Sequence, residues 1–159
     1  IISGKQGTPR ALIMAPTREL VEQIHDTIEN LGRKTGLRSL AIYGGVPIAP
    51  QIKSAKKADI IVACPGRLLD HIGRKTVDLS SLEVLVLDEA DHMLDMGFLP
   101  DIRRIIKQIP KKRQTLLFSA TMPAEIRKLA EENLVEPVTV KVGITAPADT
   151  VSLRSCCNC

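Results

Sequence analysis

The sequence predicts an α/β domain: a doubly wound parallel sheet with helices on both faces. Two observations lead there. Short apolar runs alternate with segments of helical period from one end of the chain to the other, and such alternation implies parallel strands joined by right-handed crossovers. The polar signatures also follow the apolar runs directly, and ligands of doubly wound sheets sit at the carboxyl ends of strands.

Each element has its own signal along the chain. Residues 10–15 form an apolar run that reads as a strand, and 18–34 as a helix with Val21, Ile24, Ile28 and Leu31 on one face and Gly36 behind it. Residues 37–43 read as the next strand, followed by Gly44-Gly45, a helix near 49–57 and a strand over 59–63. Pro65 opens a helix to about Arg74, because a first helical turn has no need of proline's missing N–H. Residues 84–87 are an uninterrupted apolar strand, followed by a short helix through Met93 and another near 100–108. A strand over 114–118 leads to a helix opened by Pro123, with Ile126, Leu129, Ala130 and Leu134 on one face, and 138–142 reads as the last strand.

Composition bounds the function. At 159 residues and 44% hydrophobic content the chain is long enough for one domain with a real core. The net charge of +4 permits nucleic acid as a partner without requiring it. Three aromatic residues, Tyr43, Phe98 and Phe118, leave little for recognition by base stacking. Cys64 stands alone, and Cys156, Cys157 and Cys159 lack the paired spacing of a zinc site, so a reduced, cytoplasmic protein is expected. No apolar stretch is long enough for a membrane span.

The most informative residues are Asp88-Glu89-Ala90-Asp91, directly after Val84-Leu85-Val86-Leu87. A buried strand ending in paired carboxylates suits a hydrated Mg²⁺ beside nucleotide phosphates, since this hard cation keeps much of its water and needs only one or two fixed carboxylates. Asp88 fits the metal role and Glu89 that of the base. Acidic residues also cap helices and occupy their first turns, which is the plainer reading of the same four residues. Thr17-Arg18-Glu19 begins a helix whose free N–H groups and dipole can hold a phosphate, although Thr17 also serves as an ordinary cap. Pro65-Gly66-Arg67 repeats that arrangement, and Gly45 lets a backbone approach where a side chain would block it, or simply makes a turn.

Taken in order, Pro16-Thr17-Arg18-Glu19-Leu20, Gly44-Gly45, Pro65-Gly66-Arg67, Asp88-Glu89-Ala90-Asp91 and Ser119-Ala120-Thr121 resemble the signatures of the first RecA-like domain of DEAD-box RNA helicases. The resemblance covers the chain to about Val142, and Leu94-Asp95-Met96-Gly97-Phe98 with the run from Leu117 to Pro123 resembles the bacterial RhlE-type subgroup. It implies the RecA-like P-loop fold, ATP and Mg²⁺ as cofactors, and ATP-driven separation of short RNA duplexes. It also implies roles. Glu89 would activate water, and Asp88 would hold Mg²⁺ through its water shell. Asp91, Ser119 and Thr121 would link the ATP site to closure of the two domains. Pro16, Thr17, Arg18, Gly45, Pro65, Gly66 and Arg67 would grip RNA by its backbone, single-stranded or duplex, without reading sequence.

The departures set further expectations. No G-x-x-x-x-G-K-[ST] loop occurs, and Ser3-Gly4-Lys5-Gln6 does not replace it. Residues 1–142 are therefore expected to be a partial first RecA-like domain, incomplete at its N-terminus, with 143–159 a linker or non-native tail and the second RecA-like domain a missing partner. A sheet edge or centre is expected to lie open where a strand is lost. Cys64 stands where the family usually has threonine. The piece alone is expected to hydrolyse no ATP at a useful rate. A rival reading is a non-catalytic module that binds RNA backbone or a protein.

Overall fold

A computed structural model describes residues 8–141 and 150–153. Its strands are β1 (Ala11–Met14), β2 (Ser39–Ile42), β3 (Ile60–Ala63), β4 (Val84–Leu87), β5 (Gln114–Leu117), β6 (Val138–Lys141) and β7 (Thr150–Leu153). Its helices are α1 (Arg18–Gly32), α2 (Ile48–Ala55), α3 (Pro65–Gly73), α4 (Ala90–Asp95), α5 (Leu99–Ile106) and α6 (Ala124–Asn133). Every predicted element is present within a few residues of its expected bounds.

The seven strands form one sheet in the order β2-β3-β1-β4-β5-β7-β6. Strands β1 to β5 are mutually parallel, as the alternation required. Strand β7 departs from that pattern: it runs antiparallel between β5 and β6, within the stretch read as linker or tail. It shares only two residue pairs with β5, Leu116 with Leu153 and Leu117 with Ser152, but four with β6. The flank of β5 away from β4 is therefore partly covered. Gly4-Lys5 and the terminal cysteines lie outside the described residues.

The strand pattern explains the core. On β4, Leu85 and Leu87 are buried while Val84 and Val86 are half-buried, so the strand has one deeply and one shallowly covered face. The deep face carries Leu12, Met14, Ile61, Leu85, Leu87 and Leu117 against residues of α3, α5 and α6. The other face carries Ile13, Ala41 and Val62 against Val21, Ile24 and Ile28 of α1. Leu31, expected on that stripe, is instead 80% exposed. The 15-residue helix is about 22 Å long at ~1.5 Å per residue, whereas a four-residue strand spans about 13 Å, so the last turn of α1 runs past the sheet.

The register then fixes the site. Met14, Ile42, Ala63, Leu87 and Leu117 are the last residues of β1 to β5 and are paired in one row across the sheet. Each polar signature begins within two residues of that row.

Candidate nucleotide and nucleic-acid site

Sheet order sorts the signatures in a way that chain order does not. Gly44-Gly45 follows β2, Pro65-Gly66-Arg67 follows β3, and Pro16-Thr17-Arg18 follows β1, and these three strands are neighbours. Asp88 to Asp91 follows β4, and Ser119 to Thr121 follows β5, on the other side of β1. Strand β1 leads by α1 toward β2, whereas β4 leads by α4 and α5 toward β5. The crevice between β1 and β4 is thus a topological switch point, where doubly wound sheets bind ligands.

The turn out of β4 is strained and pinned. Glu89 has φ 49° and ψ 54°, a left-handed conformation uncommon for a residue with a side chain. The Glu89 N–H donates to Asp88 Oδ1 at 3.0 Å, the Asp88 N–H to the Met14 carbonyl at 2.9 Å, and the Ala90 N–H to the Phe118 carbonyl at 3.0 Å. This turn starts α4 at once and leaves both carboxylates at the rim. Burial pushes the Asp88 carboxyl above its ordinary range; the Glu89 amide opposes the shift and the Glu89 charge adds to it. Glu89 itself is exposed and lies 3.2 Å from His92 Nδ1.

Behind the pair lies a joint between β4 and β5. Both the N–H and the hydroxyl of Thr121 donate to Asp91 Oδ2 at 2.8 Å. The Asp91 N–H donates to Ser119 Oγ at 3.1 Å, and that hydroxyl donates to the Thr121 carbonyl at 2.7 Å. Burial pushes the Asp91 carboxyl up, but the bonds from Thr121 and its other donors outweigh it and hold the group below its ordinary range. The three residues expected to act together are thus in direct contact.

The phosphate-holding candidates divide into engaged and open groups. Thr17 caps α1, accepting from the Leu20 N–H at 3.3 Å, so its plainer role is realised. Gly45 has φ 78° with no atom within 4 Å of a built Cβ, so the turn requires glycine by conformation and not by crowding. At Gly66 a Cβ would meet nothing closer than 3.9 Å, so nothing within the described chain demands glycine there. Arg67 does not stand open: its Nη1 donates to the Val46 carbonyl at 3.0 Å, and its side chain is only 15% exposed. It holds the loop that carries Gly44-Gly45.

Two features of this rim had no signal in the sequence. Tyr43, at the end of β2, donates its hydroxyl to Glu22 Oε1 at 2.6 Å, and its ring lies under the Arg18 guanidinium. His71 is wholly buried, with Nε2 facing Gln51 Oε1 at 3.3 Å and Nδ1 facing Thr76 Oγ1 at 2.9 Å. The Gln51 amide donates in turn to the Tyr43 carbonyl at 3.1 Å, which leaves its carbonyl oxygen facing His71 Nε2. Burial lowers the pKa of His71, which favours the neutral ring.

Cys64 makes a weak link across the rim, with Sγ 3.8 Å from the Pro16 carbonyl. Burial, with the charge of Glu19, pushes the thiol up to about 11, so it stays protonated and unreactive at neutral pH. With iodoacetamide at pH 8, peptide mass spectrometry should show Cys64 alkylated at least about tenfold more slowly than a free thiol. Labelling at the free rate would show that the thiol is open. Among the described residues, no group of three or more His, Cys, Asp or Glu forms a cage for a metal ion. No helix among them is long and apolar enough to cross a membrane.

A family model described as DEAD/DEAH box helicase matches residues 1–129. This chain belongs to that family. Among curated relatives it is 51% identical over 136 residues to DEAD-box ATP-dependent RNA helicase 40 of Arabidopsis thaliana, covering 85% of this chain and 12% of the relative. It is 49% identical over 142 residues to ATP-dependent RNA helicase CshA of Listeria monocytogenes, covering 89% of this chain and 27% of the relative. The chain therefore spans about a quarter or less of these family members. The expected RhlE-type subgroup finds no support in their names. Among solved structures, a DEAD box protein from Methanococcus jannaschii superposes with a TM-score of 0.78 at 47% identity, over 81% of this chain and 36% of that one. A hypothetical ATP-dependent RNA helicase from Sulfolobus tokodaii gives 0.77 at 43% identity, over 80% and 39%. These helicase domains share the RecA-like fold, and the chain is a partial helicase domain of the family.

Proposed function

We propose that this chain is the part of an RNA-dependent ATPase that holds the catalytic carboxylates and half of the RNA cleft, and that the whole protein separates short RNA duplexes. The sheet order is the observation that carries this reading: three backbone-holding signatures lie side by side on β2, β3 and β1, and the carboxylate pair lies on the next strand. The open turn at Gly45, where no atom lies within 4 Å of a built Cβ, fits close approach by a sugar-phosphate backbone. Such contacts grip RNA without reading its sequence.

Asp88 fits a hydrated Mg²⁺. Among the described residues its Oδ2 accepts no hydrogen bond, and burial raises the cost of leaving its charge without a cation. The ion would neutralise nucleotide phosphates there. Glu89 would orient the attacking water, held in place by its strained turn. The joint of Asp91, Ser119 and Thr121 would transmit the state of that turn to β5, against which a second RecA-like domain would close.

In the whole protein, Glu89→Gln should lower RNA-stimulated ATP turnover about a hundredfold or more while RNA affinity stays within about twofold, because the change removes a base and no RNA contact. The 159-residue chain by itself, without a G-x-x-x-x-G-K-[ST] loop in its sequence, should show no measurable turnover with saturating RNA. Turnover by the chain alone that Glu89→Gln abolishes would overturn that expectation. Full activity of the whole Glu89→Gln protein would overturn the catalytic assignment.

A further inference from the structure

We propose that Glu22 and Tyr43 are positioning residues that hold the Arg18 guanidinium with its outer edge toward an RNA phosphate. The proposal rests on the reading of this rim as RNA-binding.

Three contacts carry it. Glu22 lies one helical turn after Arg18, and its Oε1 accepts from Arg18 Nε at 3.1 Å. The same oxygen accepts the Tyr43 hydroxyl at 2.6 Å. The Arg18 guanidinium carbon lies 4.8 Å from the centroid of the Tyr43 ring, within cation–π range. One atom of the guanidinium is thus anchored and one face is covered, which fixes its plane. Among the described residues, neither Nη atom donates a hydrogen bond. These atoms form the edge of the fork that binds phosphate with two parallel bonds.

The tyrosine is itself held. It packs against the buried cluster of Ala15, Val21 and Val62, and its carbonyl accepts from Gln51, which buried His71 holds from α3. Gly44-Gly45 follows it immediately. A single residue therefore ties the glycine turn after β2 to the arginine after β1, two segments whose strands are separated by β3. An unsupported arginine on an exposed helix start would lose its rotamer freedom only on binding phosphate; here much of that ordering is already done.

The opposite reading of the same contacts is that Glu22 competes with RNA by neutralising Arg18, and the two differ in sign. Removing a carboxylate beside a phosphate path strengthens binding if the carboxylate only repels or competes. It weakens binding if the carboxylate holds the arginine in place.

The test measures the affinity of the intact chain for a fluorescein-labelled oligouridylate by anisotropy across a salt series. Glu22→Ala and Tyr43→Phe are each made in the wild-type and Arg18→Ala backgrounds. The Glu22 side chain is partly exposed, at 41%, and alanine favours helix, so the fold should not be at risk, and Tyr43→Phe keeps the packed ring. Glu22→Ala is expected to weaken binding roughly three- to tenfold, the usual net worth of one ordinary hydrogen bond, because the Arg18–Glu22 pair lies at the surface. Tyr43→Phe should weaken it by about twofold, since the ring stays under the guanidinium. Where Arg18 no longer reaches its phosphate, the slope of log affinity against log salt should fall by about 0.7. Neither change should weaken binding further in the Arg18→Ala background. Tighter binding by Glu22→Ala, or equal weakening with and without Arg18, would overturn the positioning role alone. Absence of salt-sensitive binding by the wild type, or no effect of Arg18→Ala, would overturn the RNA reading of the rim and the positioning role with it.

Discussion

Leu85→Ala is expected to destabilise the chain by about 2–5 kcal/mol, toward the upper part of the range for burying a leucine and then deleting it. Leu85 is fully buried in β4, paired with Leu12 of β1 on one side and Thr115 of β5 on the other. Its side chain joins the deep face of the sheet, where α3, α5 and α6 pack. Strands on both sides and helices above leave the site little freedom to collapse around the missing atoms, so the cavity persists and its cost is added to the lost transfer energy. A typical domain has only about 5–15 kcal/mol in hand, so the loss should be plain in urea unfolding as a lower midpoint at unchanged slope. Leu31→Ala is the matched control, at 80% exposure expected to change stability by no more than about 0.5 kcal/mol. Equal effects from the two leucines would show that the core does not lie on this face.

Asp91→Ala should cost about 1–3 kcal/mol, nearer the lower value because Asp91 and Thr121 are partly open to solvent. The substitution leaves the Thr121 N–H and hydroxyl without their shared acceptor, although the bond from the Asp91 N–H to Ser119 survives. A double-mutant cycle with Thr121→Val isolates the pair, with an expected coupling of about 0.5–1.5 kcal/mol. The pH dependence has a definite sign. The carboxyl is held below its ordinary range, so its stabilising effect is fully present above the unfolded aspartate value of about 3.9 and is lost as pH falls through the lower folded value. The stability gap between wild type and Asp91→Ala should therefore be constant from pH 7 to about pH 5 and shrink below about pH 4. A gap that widens on acidification would contradict the hydrogen bonding of this joint.

The same joint shows why the site was only partly legible in the sequence. Asp88, Glu89, Asp91, Ser119 and Thr121 could be singled out because each follows an apolar run, and strand ends are where such sheets place polar groups. Their mutual bonds could not be read, because Asp91 and Thr121 are thirty positions apart and touch only when β4 and β5 are adjacent and in register. Arg67 illustrates the limit from the other side. Its position at a helix start suggested an open phosphate ligand, yet a long side chain can end far from its own backbone, and this one ends on the Val46 carbonyl.

The sequence by itself determined the local structure and the inventory. Short apolar runs and a helical period of three to four, together with glycine and proline punctuation, placed five parallel strands, six helices and β6, because these signals depend only on near neighbours along the chain. Ordered motifs then identified the family. Only the tertiary structure decided which strands adjoin, and so that the signatures divide into a group of three and a group of two across β1. It also decided that Leu31 clears the sheet, that β7 enters antiparallel beside β5, and that Tyr43 and Glu22 converge on Arg18. Each of these depends on lengths and directions in space, which residue spacing along a chain does not encode.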